Sequence, residues 1–154
     1  SGALERGLYI LFVSRLSTWL DSNRLRADFL EQAVRERRGS RVEYFDNFVA
    51  AFDPAIASHA PSLGEMARVF QRRHESYLSV FAEFLREGFV LEDAQLDALA
   101  TFVQWAKEHL RDPVAHGHGL DISWAALKTL RETLLTNFNN SGRGLMATLL
   151  EAQR

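Results

Sequence analysis

The 154-residue chain contains no cysteine, which excludes disulfides, thiolate metal sites and a cysteine nucleophile. Lysine is nearly missing as well: of 18 basic residues only Lys107 and Lys128 are lysine, so the cationic side chains are almost all arginine. An arginine fork suits two-point contact with carboxylate or phosphate, although a bias across the whole chain is first read as genomic base composition. An excess of positive charge is also lacking. The basic residues face 20 acidic ones, a formal charge of −2, which argues against a broad basic surface for wrapping nucleic acid and leaves room for a focused basic patch. The most apolar run, Gly7 to Val13, is far short of the ~20 residues a membrane-spanning helix needs and is soon followed by Arg15. Ser1-Gly2-Ala3 carries neither a basic stretch nor a cleavage site and is set aside as a candidate expression remnant. The expectation is one cytoplasmic domain over residues 1–154, free-standing or within a longer chain.

No run of β-branched residues alternates with a period of two, whereas helical spacing recurs along the chain. The fold is therefore expected to be all-α, an up-down bundle of about five main helices plus short ones. The first spans about Ala3 to Leu20, with Leu4, Leu8, Leu11, Phe12, Leu16, Trp19 and Leu20 on one stripe. The second carries Leu25, Phe29, Leu30 and Val34 and stops at Gly39, and the third runs from about Arg41 to Phe52, before Asp53-Pro54. Ser62 and Glu65 form a capping box that opens one long helix through Phe70 and Phe81 to Gly88. A fifth runs from about Glu92 to Leu110, the next starts at Ser123 and carries Trp124, and Leu145 to Glu151 follows a turn-rich break.

Chemistry has few places to reside. Phosphate-binding G-x-x-x-x-G-K and G-x-G-x-x-G loops, G-x-S-x-G and H-E-x-x-H are all missing. Of five histidines, His109, His116 and His118 fall within ten residues of one another. As a metal set they lack a helical i, i+4 pair and an evident further ligand, so no metal or other cofactor is expected. Asp112-Pro113 reads as a cap followed by a first helical residue, which would close one helix at Arg111 and open another carrying His116. An arginine and a histidine beside free N–H groups suit a phosphate, with the imidazole able to exchange a proton near neutral pH.

The run Arg111-Asp112-Pro113-Val114-Ala115-His116-Gly117 resembles the R-x4-H signature of the HEPN superfamily, including the polar residue after the arginine and the A-H-G continuation. The resemblance implies a metal-independent endoribonuclease that acts as a homodimer, with two such motifs meeting across a two-fold axis. It implies that Arg111 holds the scissile phosphate and that His116 activates the ribose 2′-hydroxyl or protonates the leaving 5′-oxygen. Asp112 stands where the family often has Asn and would orient the pair, and His118 is an accessory candidate or an exposed loop residue. A toxin–antitoxin or phage-defence setting, with an antitoxin or a larger defence protein as partner, is implied in the same way. Arg72, Arg73 and Lys107 are secondary candidates for the RNA backbone, set against a reading of Arg68, Arg72 and Arg73 as a solvated, ion-paired face. Trp19, Trp105 and Trp124 are read as core. The alternative function is a catalytically inactive HEPN-like module that binds RNA or protein; a histidine-based metallohydrolase is the third reading.

Overall fold

The computed structural model describes residues 2–35, 43–56, 60–111 and 123–154, whose regular elements are all helices, with no strand among them. Helix α1 (Gly2–Leu8) passes through a π-helical stretch (Tyr9–Ser14) into α2 (Arg15–Ser22) without a break. The cause lies in the spacing of the apolar residues. Leu4, Leu8, Phe12, Leu16 and Leu20 are four apart, and the last four are buried with at most 2% exposure. On a 3.6-residue turn, a step of four drifts by about 40°, so Leu4 and Leu20 would end about 160° apart. A π turn bonds i to i+5 and holds more residues, which rotates the stripe back toward the core.

Helices α3 (Arg26–Arg35) and α4 (Glu43–Ala50) follow, then α5 (Leu63–Gln71), a 3-10 turn (Ser76–Leu78), α6 (Ser79–Gly88) and α7 (Asp93–Ala106), which ends in a second π-helical stretch (Lys107–Arg111). Helices α8 (Trp124–Leu135) and α9 (Leu145–Ala152) complete the described chain. The expected capping box is present: Glu65 N–H donates to Ser62 Oγ and Ser62 N–H to Glu65 Oε1. Ser123 caps α8 by accepting from Ala126 N–H at 3.0 Å. The single helix expected from Ser62 to Gly88 is instead two, separated by Arg72–Glu75. Arg73 is the reason: its guanidinium turns inward and donates to Phe70 O at 2.9 Å, occupying a carbonyl at the end of α5.

Phenylalanine builds the core. Phe29 and Phe52 meet Phe48, which packs on Phe81, and Phe81 meets Phe70 and Phe84; Phe12 joins Phe70 and Phe89 at 4.9 Å each. Most of these rings meet edge to face, the arrangement the ring quadrupole favours. Arg26 ties three helix ends together, gripping both oxygens of Asp21 and donating to Phe52 O and Ser17 O. An isolated antiparallel bridge joins Phe89 to Gln153, with Val90 N–H on Ala152 O at 2.7 Å. The turn before α9 uses left-handed backbone at Asn139, Asn140 and Gly142. Gly144 then lies so close to α8 that a Cβ there would come within 2.3 Å of Leu134 O.

Candidate active site

Arg111 closes the π-helical turn at the end of α7, four residues after Lys107. Asp112, His116 and His118 lie outside the described residues. The approach to the motif is well defined. Trp105 stacks on Phe102 (centroids 5.9 Å apart, planes 18° apart) and His109 stacks on Trp105 (5.2 Å, 18°), so three flat side chains run from the buried Phe102 outward to the exposed His109 along the end of the helix toward Arg111. His109 Nδ1 lies 3.0 Å from Trp105 O. A carbonyl offers no proton, so Nδ1 is the donor, and in the neutral ring Nε2 is the acceptor. Sequence spacing placed His109 among the clustered histidines; its stacking on Trp105 depended on the i, i+4 register being kept into the π turn.

Lys107 lays its stem across the start of α5, where a Cβ on Gly64 would meet Lys107 Cε at 2.8 Å. The lack of a side chain at Gly64 leaves the room that stem occupies. Arg72 and Arg73 sit beyond the other end of α5. Arg72 is exposed and faces Glu75 at 3.8 Å. Arg73 is 2% exposed; besides Phe70 O it contacts Asp97 Oδ1 at 2.8 Å, Asp93 O at 3.2 Å and Asp93 Oδ1 at 3.4 Å. The secondary candidates therefore do not form one patch with Arg111. Arg73 grips the first residues of α7 and Arg111 closes its far end, roughly 25 Å away along the axis at ~1.5 Å per residue. Arg73 is not on a solvated face either: burial and these acceptors commit its fork to the fold. Lys107 is the secondary candidate that shares an end of α7 with Arg111.

Among the tryptophans, Trp19 is half-buried, packs on Phe84 and donates from Nε1 to Glu87 at 2.8 Å, and Trp105 is half-buried in its stack. Trp124 differs from the expectation. It is 86% exposed at the first position of α8, because that helix turns only Ala126 fully inward. Among the described residues no group of three His, Asp or Glu side chains is placed to hold a metal ion, and no helix is long and apolar enough to cross a membrane. Comparison with family models, curated proteins and solved structures gives no match to this chain.

Proposed function

We propose that this chain is a metal-independent endoribonuclease of the HEPN type, with its helices forming the bundle of that superfamily and two copies pairing to assemble one composite site. The observation that carries the reading is the sequence run Arg111 to Gly117, whose first residue ends the helical stretch that follows α7, in a chain whose described regular elements are all helices. Arg111 and His116 of each copy supply the phosphate fork and the proton carrier. The ribose 2′-oxygen, losing its proton to an imidazole, attacks the adjacent phosphorus; the 5′-oxygen leaves and takes up a proton, giving a 2′,3′-cyclic phosphate and a 5′-hydroxyl. DNA has no such nucleophile and is not cut. Asp112 orients the pair, Lys107 adds positive charge at the same end of α7, and Trp124 offers an open ring face for a base. RNA as substrate assigns the work to the cytoplasm, with an antitoxin or a larger defence protein as its natural restraint.

The test is incubation of the purified chain with RNA in excess chelator, beside His116→Ala and Arg111→Ala. Cleavage by the wild type that leaves cyclic phosphate ends, and is lost in both variants, is the expected result. A wild type that cuts no RNA at concentrations where it is dimeric overturns the reading. Cleavage abolished by the chelator would replace it with a metal-dependent one.

A further inference from the structure

The feature of the molecule that the proposed nuclease leaves unused is an apolar trench between the first helix and α9, with Leu134 of α8 at its side. Its volume is about 620 Å3, within the ~300–1,000 Å3 typical of small-molecule sites. Leu4 and Leu11 form one wall and Leu149 the other, and Ile10, Met146 and Leu150 stand on it with more than half of their surface exposed. Only two lining residues, Arg15 and Gln153, are polar, and both sit beside Phe89 at one end: the Arg15 guanidinium lies 4.6 Å over the Phe89 ring, and Gln153 is bridged to Phe89.

Two details indicate an occupant. Arg15 donates from Nη2 to Gly88 O at 3.1 Å, but its Nη1 is shielded from solvent with no hydrogen-bond partner, and no carboxylate among the described residues pairs with it. A shielded, unpaired N–H on a cation is costly, and an anion is what relieves it. Gly7, in the helical wall, has nothing within 4 Å of where a Cβ would stand. Glycine inside a helix is less stable than alanine, and no neighbour in the fold requires it here, so the open space serves something that enters the trench.

We propose that this trench binds a medium- or long-chain fatty acid, its carboxylate at Arg15 and its tail running along α1 past Gly7 toward Leu4. The charge pattern selects this ligand over a partner helix: the polar groups sit at one end only, as the single charged end of an acyl chain requires. From Leu4 to Arg15 the wall is roughly 16 Å long at ~1.5 Å per residue, enough for on the order of twelve carbons in extended form. Nη1 is covered, so binding requires the guanidinium to rotate until Nη1 is uncovered and meets the carboxylate.

The experiment titrates the full chain with submicellar laurate and, separately, with 1-dodecanol, the uncharged chain of equal length, by calorimetry. One saturable laurate site per chain is expected. Gly7→Phe puts a ring into the trench from a position where a Cβ meets no atom within 4 Å, and should weaken laurate by at least roughly tenfold while circular dichroism and cooperative melting stay as in the wild type. Arg15→Gln should weaken laurate and leave dodecanol unchanged, a split that general damage to the trench would not produce. The proposal is overturned by a lack of saturable binding, or by laurate binding to Gly7→Phe as to the wild type. It is overturned too if Gly7→Phe turns a dimer into a monomer and laurate binds neither, since the trench is then a contact between copies.

Discussion

Replacing Arg73 with methionine tests whether the break between α5 and α6 is held by that guanidinium. The wild-type side chain is 98% buried against its neighbours, with bonds to two backbone carbonyls, Phe70 O and Asp93 O, and charge-assisted contacts to the Asp93 and Asp97 carboxylates. Methionine keeps the volume of the stem and deletes every one of those bonds. Removing one partner of a buried ion pair costs ~3–5 kcal/mol when the other charge is left stranded, but Asp93 and Asp97 are 74% and 70% exposed and water can take them over. What is lost is chiefly the donors to Phe70 O and Asp93 O and part of two screened charge pairs, about 2–3 kcal/mol in all. For a chain of this size that lowers Tm by about 5–10 °C. Arg73→Ala adds a cavity and should be worse by a further ~1–2 kcal/mol, whereas Asp97→Asn should cost less than ~1 kcal/mol. Thermal melts and urea titrations of the three variants supply the numbers. An Arg73→Met protein within about 0.5 kcal/mol of wild type would refute the reasoning. So would a variant of unchanged stability that had lost RNA affinity, because Arg73 would then belong to the ligand.

Trp124→Ala should shift stability by less than about 0.5 kcal/mol, since the ring is 86% exposed, yet weaken single-stranded RNA binding by ~1–3 kcal/mol in a filter or polarisation assay; equal RNA affinity would remove Trp124 from the interface. Gly144→Ala places a Cβ against the backbone carbonyl of Leu134 and should destabilise by about 1–3 kcal/mol in denaturant titration, as a peptide oxygen cannot rotate away like a side-chain end. The hydrogen bond from Arg26 holds the Asp21 carboxyl below its usual range, outweighing the opposing effect of desolvation, and the charge of Arg26 acts in the same direction. A depressed carboxyl pKa stabilises the fold at pH values above the unfolded pKa and loses that contribution as pH falls through the folded one. The Tm difference between wild type and Asp21→Asn should accordingly shrink below about pH 4, and a difference constant from pH 7 to pH 3 would contradict the pairing.

Much of the fold is legible in the sequence where local chemistry decides it. The Ser62–Glu65 box, the Ser123 cap and the turn-rich break from Asn137 to Gly144 act through neighbouring residues, and the structure has all three. The spacing of four from Leu4 to Leu20 was also visible, yet a plain α-helix from Ala3 to Leu20 was expected; the drift it implies is what the π turn absorbs. The break at Arg72–Glu75 was not legible, because its cause is at long range. Apolar spacing runs through Met66, Phe70, Leu78 and Phe81 as if uninterrupted, and beside the local carbonyl of Phe70 the acceptors that hold Arg73 inward, Asp93 and Asp97, come from the start of α7, twenty or more residues on. Trp124 was misread for the opposite reason: its helical spacing matched a core stripe, but α8 buries only Ala126 fully and packs Leu130 and Leu134 partly against the core, leaving Trp124 outside.

For the candidate site, the sequence supplied residue types and left distances undetermined. Arg72, Arg73 and Lys107 looked equivalent as cations near a helix, and their different fates follow from which end of α7 each one meets. Arg73 anchors the start of that helix to α5, and Lys107 lies over the start of α5 from the other end, so the two cations brace one helix pair at both ends. A rod held in this way fixes where the backbone of Arg111 leaves it, and for the nuclease proposed above that is what its phosphate fork would need, since catalysis by positioning fails with displacements of about 1 Å. It follows that Arg73→Met, though roughly 25 Å from Arg111 along α7, should lower the cleavage rate of the remaining folded protein if α5 and α7 shift, and that stabilising the variant with an osmolyte should restore it. A rate loss that persists after the fold is restored would show that Arg73 touches RNA, and that the brace is not its role.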